Sequence, residues 1–215
     1  MTAKVRVPVT QFTQTDDIRS DDCARALDIY EAAFPARERV GRDKVLDRIA
    51  RGVYELWLGK DGDRVVFMTI LYTLKDSDLV LLGYIATDAA YRNRGIGSAF
   101  LKDVLKHLRS RDRYLLIEAE RPNDEDTFST RRLEFYRRLG AKFLENVRYI
   151  LPPLAGDTPT EMLLAIAPGY RTETLPQDRV RHLLTQLYIE AYDRSADDPL
   201  LQLCLASVPD IVRLV

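Results

Sequence analysis

Apolar positions recur along the chain with two periods, near two and near 3.6 residues, and their alternation predicts a mixed α/β architecture. Val5 to Phe12 alternates polar and apolar residues and predicts a short first strand. From Asp21 to Phe34 apolar residues, among them Ala24, Leu27 and Ala32, fall at helical spacing, and Pro35 closes that helix. A second helix is predicted from about Arg42 to Arg51, ending near Gly52. Tyr54 to Leu58 and Arg64 to Leu74 flank Lys60-Asp61-Gly62-Asp63, whose Asp-Gly pair predicts a hairpin. Leu79 to Thr87 is apolar on both faces, the mark of a central strand.

After a glycine-bearing turn, Phe100, Leu101, Val104, Leu105 and Leu108 form the buried stripe of a helix from about Gly97 to Ser110. Tyr114 to Glu120 is the next strand. Past the polar loop Arg121 to Asp126, a helix from about Thr127 to Leu139 ends at Gly140, a residue suited to a left-handed cap. Lys142 to Leu151 and Glu161 to Ala167 predict a strand pair around the loop Pro152-Pro153-Leu154-Ala155-Gly156-Asp157. The pattern changes at Pro168: Val180, Leu183, Leu184, Leu187, Tyr188 and Ala191 form a helical stripe, and Leu200 to Val208 is a second apolar stretch. The expectation is a domain over residues 1–167 and a helical extension over 168–215, packed on the domain or on a partner subunit, so a homodimer is one expectation.

Composition narrows the class. A chain of 215 residues with 46% hydrophobic content can bury one full core. Its 32 basic and 33 acidic residues nearly cancel, so no whole-molecule field argues for nucleic acid or an anionic membrane. Cys23 and Cys204 lie far apart and match no metal or disulfide framework, which suits two buried thiols in a reducing compartment. Met1 to Gln11 lacks the apolar run of a signal peptide, and no later stretch has membrane-spanning length; a cytoplasmic protein without a metal is expected.

The candidate chemistry centres on Arg92-Asn93-Arg94-Gly95-Ile96-Gly97, between a predicted strand and helix. Backbone N–H groups at a helix start have no intrahelical partner, and together with the helix dipole they favour an anion such as a pyrophosphate. Glycines there let a ligand approach the backbone, and Arg92 or Arg94 could add charge-assisted bonds. A Rossmann loop would need glycine at the position of Phe100, and a Walker loop would need a lysine that is absent, so both fail. Two glycines at such a junction also serve a plain structural turn.

The surrounding residues carry a resemblance. Arg92, Gly95 and Gly97 in Tyr91-Arg92-Asn93-Arg94-Gly95-Ile96-Gly97-Ser98 are similar to the Arg/Gln-x-x-Gly-x-Gly/Ala loop of the GCN5-related N-acetyltransferases, the GNAT family. Gly83-Tyr84-Ile85-Ala86-Thr87-Asp88 resembles that family's fourth strand, and Leu133 to Ala141, with Tyr136 before Leu139-Gly140, resembles its tyrosine segment. The resemblance covers roughly Ala24 to Ala167. It implies an α/β (α+β) fold: a mixed, mostly antiparallel sheet, splayed between strands 4 and 5 and flanked by helices. It implies acetyl-CoA as co-substrate, held by Ile85, Ala86, Thr87 and Arg92 through Ser98, and a primary amine of a small molecule, peptide N-terminus or lysine as acceptor.

The same resemblance supplies a base and an acid. Period two puts Leu116, Glu118 and Glu120 on one face of the fifth strand, and Leu116-Ile117-Glu118-Ala119 is similar to a segment of the ribosomal-protein N-terminal acetyltransferases whose glutamate is the base. Burial near Glu120 would raise one carboxyl pKa, whereas pairing with a nearby arginine would make Glu118 structural. Tyr136 matches the tyrosine that donates to the CoA thiolate, against the alternative of one more core aromatic. The chain departs from the family pattern at Ser129, where an Asn is common, at Leu81, where some members carry a glutamate, and in the long loop with Asn123, Asp124, Glu125 and Asp126. That loop either meets a cationic substrate or is a solvated turn. His107 and His182 are expected at the surface; Tyr84 either lines the acceptor cleft or packs in the core. An inactive acyl-CoA sensor or an interaction module is the rival reading of the same fold.

Overall fold

The computed structural model describes residues 11–122 and 127–215, and of residues 127–129 the backbone alone. Val5 to Thr10 of the predicted first strand, the acidic loop 123–126 and the side chain of Ser129 therefore lie outside the described residues. The chain divides into two compact units, one of residues up to Thr73 plus Leu82–Val104, the other of Leu74–Leu81 plus Leu105–Val215.

In the first unit the strands run in the order β1 (Phe12–Thr15), β2 (Glu55–Asp61), β3 (Arg64–Thr73) and the later part of β4 (Leu79–Thr87). The β2–β3 hairpin is longer than expected: Asp61 pairs with Arg64 across Gly62, whose φ of 60° is the left-handed value the Asp-Gly signal anticipates, and a bulge falls between Gly59 and Lys60. Helix α1 (Asp21–Ala33) begins where the Ser20 side chain accepts from the N–H of Cys23. Its buried face is Cys23, Ala26, Leu27, Ile29 and Tyr30, so the expected stripe is corrected: Ala24 and Ala32 are exposed. Helix α2 (Arg42–Ala50) follows a 3-10 turn at Ala36–Glu38. Tyr84 belongs to an aromatic cluster with Tyr30 and Phe34, at ring distances of 4.7 and 5.0 Å, and its hydroxyl accepts from the N–H of Val40. It acts as packing that also pins the 34–40 loop.

In the second unit the first residues of β4 pair in parallel with β5 (Tyr114–Glu120), Leu79–Leu81 against Tyr114–Leu116. Neighbouring pairs in this unit are antiparallel: β5 on β8 (Thr160–Ala167), and both β6 (Lys142–Phe143) and β7 (Tyr149–Leu151) on β8. The mixed, mostly antiparallel sheet is the expected one. The strand expected over Lys142 to Leu151 is instead broken in two, at an irregular stretch where Asn146 takes a φ of 61°. Helix α3 (Ile96–Arg109) begins one residue before the expected Gly97, and α4 (Thr127–Arg138) ends before Gly140, at φ 82°.

Residues 168–215 are not purely helical. Thr174–Pro176 (β9) and Ile211–Arg213 (β10) form a two-stranded antiparallel sheet around α5 (Gln177–Gln186), a π-turn at Leu187–Ala191 and α6 (Pro199–Ala206). The π-turn is closed by the i→i−5 bond from the N–H of Tyr192 to the carbonyl of Leu187, at 3.2 Å. Both cysteines are buried free thiols, as expected. No helix among the described residues is long and apolar enough to cross a membrane.

Candidate active site

Along β4 burial alternates after Leu82: Tyr84 and Ala86 are buried, while Gly83, Ile85 and Thr87 keep partial exposure on the other face. The strand ends at Asp88, which organises the following turn. Its carboxylate accepts from the N–H of Ala90 at 2.9 Å and pairs with Arg25 and Arg64. The Ala90 N–H bond, and then the two guanidinium groups, outweigh burial and hold the Asp88 carboxyl below its ordinary pKa. A 3-10 turn over Ala89–Tyr91 leads into Arg92 to Gly97.

That turn is built for backbone exposure. Asn93 and Gly95 adopt left-handed φ values of 62° and 79°, Arg92 to Gly95 are exposed, and Ile96 is the buried anchor from which α3 starts. The first intrahelical bond here runs from Ala99 N–H to Gly95 O at 2.9 Å, leaving the N–H groups just before it to point outward. Arg94 donates to the carbonyl of Ala90 at 2.9 Å and lies over the Tyr91 ring, and Arg92 donates to the Thr87 carbonyl at 3.4 Å. Both arginines thus lie folded onto their own loop. A Cβ on Gly97 would meet only Ile85 Cδ1 at 3.8 Å and Phe67 Cε2 at 3.9 Å, ordinary contacts, so packing does not require glycine there. The donor set, outward N–H groups at a helix start with two cations beside it, fits a pyrophosphate.

Glu118 sits on β5 in the second unit, and both its carboxylate oxygens are taken up by phenols. The Tyr149 hydroxyl donates to Oε1 and the Tyr192 hydroxyl to Oε2. Burial raises the Glu118 pKa, and the two phenol bonds, which favour the carboxylate, reverse only part of that rise. Burial together with the Glu118 charge pushes the Tyr149 hydroxyl well above its ordinary range. The arginine pairing weighed for Glu118 falls instead to its neighbour: Glu120 pairs with Arg132 at 3.3 Å. Nor does Glu120 act on Glu118; the cause of the raised pKa is burial.

Tyr136 lies on α4, 5% exposed, its ring 5.5 Å from that of Phe135. Burial raises its pKa, with Arg132 opposing and Glu120 reinforcing the rise. His107 is exposed on α3, and His182 is exposed on α5 at the rim of a cavity of about 330 Å³ lined also by Asp78, Tyr170 and Arg179. Sequence reasoning missed Tyr149 and Tyr192. Tyr192 stands four residues after Tyr188, on the side of the buried Leu184–Tyr188 stripe, and that spacing was the available signal.

Residues 53–140 match the model of the acetyltransferase (GNAT) domain. The chain carries a GNAT domain. The matched span takes in the glycine turn, Glu118 and Tyr136 and stops before Tyr149 and Tyr192. No curated protein matches the chain by sequence. Solved structures of GNAT proteins share its fold. A GNAT-family protein from Bacteroides thetaiotaomicron is 22% identical with a TM-score of 0.72, over 86% of this chain and 99% of that one. An aminoglycoside 6'-N-acetyltransferase complexed with coenzyme A is 16% identical with a TM-score of 0.57, over 76% and 99% of the two chains. The ribosomal-protein-S18-alanine N-acetyltransferase of Escherichia coli is 20% identical with a TM-score of 0.52, over 77% and 99%.

Proposed function

We propose that this protein is an acetyl-CoA-dependent N-acetyltransferase that passes the acetyl group directly to a primary amine of a small molecule, a peptide N-terminus or a lysine. The observation that carries the reading is the Asp88-braced turn, with its exposed backbone and left-handed Asn93 and Gly95, opening α3 within the matched domain. The coenzyme A bound to the aminoglycoside 6'-N-acetyltransferase supports the same donor. The N–H groups of the turn hold the pyrophosphate, and the half-exposed face of Ile85 and Thr87, with the backbone of Ala86, receives the pantetheine arm.

In the chemical step the amine nitrogen bonds to the thioester carbonyl carbon and the carbon–sulfur bond breaks. Glu118, its carboxyl pKa raised by burial, takes the proton that the amine loses, directly or through a water. Tyr136 gives its proton to the departing thiolate; its raised pKa keeps the phenol protonated until that thiolate forms. The engagement of both Glu118 oxygens by tyrosines favours a second reading, an acyl-CoA-binding sensor without turnover. Thiol release from acetyl-CoA, measured with a panel of amines beside calorimetric binding of CoA, separates the two. Micromolar CoA binding with no thiol release on any amine would refute the enzyme; failure to bind CoA would refute both.

A further inference from the structure

The tail beyond residue 167 lies outside the matched GNAT span, yet it reaches the residue to which the proposed function gives the proton. The π-turn at Leu187–Ala191 directs two tyrosines. Tyr188, fully buried, donates to the carbonyl of Ile150 on β7, and Tyr192 donates to Glu118 Oε2 on β5. The neighbour of Ile150 on β7, Tyr149, donates to Glu118 Oε1. The registers explain the convergence: Glu118 pairs with Leu164 of β8 and Tyr149 with Met162, so one strand lies between them and their side chains are two residues apart along it. Cys204 of α6 accepts from the N–H of Ile150 at 3.3 Å, and Arg194 donates to the carbonyl of Pro153 at 3.0 Å. The tail is therefore fastened to β7 and to the loop after it by groups other than Tyr192, while the Tyr192 hydroxyl donates to Glu118.

We infer that the C-terminal extension is part of the proton-transfer machinery: Tyr192, with Tyr149, is a positioning residue that holds the Glu118 carboxylate in one orientation. The inference rests on the reading of Glu118 as the base. Two donors on opposite oxygens fix the plane of a carboxylate that would otherwise rotate, and each leaves one lone pair of its oxygen for the amine or a bridging water. Among the described residues the titratable groups acting on Glu118 are these two phenols; each favours the carboxylate against the opposing effect of burial.

The test uses the full chain and the amine that turns over fastest in the thiol-release panel. Tyr192→Phe removes one hydroxyl and keeps the ring. It should lower kcat roughly tenfold, leave the KM for acetyl-CoA unchanged, and move the acidic limb of the kcat/KM profile up by about one pH unit, because a donor to the carboxylate is gone. Carbon-13 NMR of the Glu118 carboxyl, assigned with Glu118→Gln, should show the same upward shift of its midpoint without any substrate. Tyr188→Phe loosens the same helix away from Glu118 and should lower the Tm without moving either pH midpoint. Should Tyr192→Phe fold poorly, Tyr149→Phe gives the same NMR reading from the other oxygen. An acidic limb and a carboxyl midpoint coinciding with the parent's, while Glu118→Gln is inactive, would overturn the inference alone. Glu118→Gln at the parent's rate would overturn the base assignment, and this inference with it.

Discussion

Replacing Glu118 by glutamine should stabilise the protein at neutral and alkaline pH and do nothing at acid pH. The carboxyl is held by Tyr149 and Tyr192, and burial raises its pKa in the folded state above the unfolded value, about 4.3. The sign follows from proton uptake. Between the unfolded and folded pKa values the native state binds more protons than the unfolded chain, so native stability falls as pH rises through that window. Each pH unit of the window removes about 1.4 kcal/mol. Glutamine is never ionised, and its amide accepts from one phenol and donates to the other, so it keeps both contacts while removing the buried charge. For a chain of 215 residues each kcal/mol moves the Tm by about 2–4 °C, so every pH unit of the window should appear as roughly 3–5 °C in favour of the variant. Thermal unfolding of parent and variant followed by circular dichroism from pH 4 to pH 9 would show two curves that meet at the acid end and separate until the folded pKa is passed. Curves that stay parallel over the whole range would refute the argument that Glu118 is a charge held at a cost.

Three further outcomes are expected. Tyr136→Phe should lower kcat with little change in CoA affinity, read by thiol release and calorimetry; an unchanged rate removes Tyr136 as the acid. Gly97→Ala, whose new Cβ finds only ordinary contacts, should gain about 0.5–1 kcal/mol in urea unfolding and still bind CoA, whereas Gly97→Asp should weaken CoA binding more than tenfold by bringing a negative charge to the helix start. Asp88→Ala should cost about 1–2 kcal/mol at pH 7 through the lost turn cap, and the deficit should shrink below pH 4; because the folded pKa is depressed, the Asp88 contribution is present above the unfolded value and lost as pH falls.

The elements legible in the sequence were those whose signal is local. The β4 strand, the turn and α3 declare themselves because a nine-residue strand with seven apolar residues, a turn with two glycines and a 3.6-residue stripe follow in close order. Alanine carries little such signal: Ala24 and Ala32 sit at helical spacing yet face outward, since alanine favours a helix on either side of it. The break between β6 and β7 hinges on Asn146 at positive φ, a conformation that Asn tolerates but does not announce. Strands of three residues, such as β9 and β10, are too short to show a period. Spacing from Tyr188 marks Tyr192 as inward-facing but does not give its partner: Tyr149 and Tyr192 are separated from Glu118 by 31 and 74 positions, and only the register of β5, β8 and β7 together with the packing of the tail brings them to one carboxylate.

The π-turn at Leu187–Ala191 makes chain length, rather than residue identity, the sensitive variable in that segment. Inserting one further residue between Tyr188 and Tyr192 would turn every later side chain by about 100°, whereas deleting one would make the Tyr192 to Leu187 bond an ordinary i→i−4 bond. The consequences of the insertion divide the two tyrosines. Tyr188 would keep Ile150, while Tyr192 would swing off Glu118. Substitutions at the exposed Ile189 leave that geometry alone. Among proteins that share this tail, insertions there should be rarer than changes of residue.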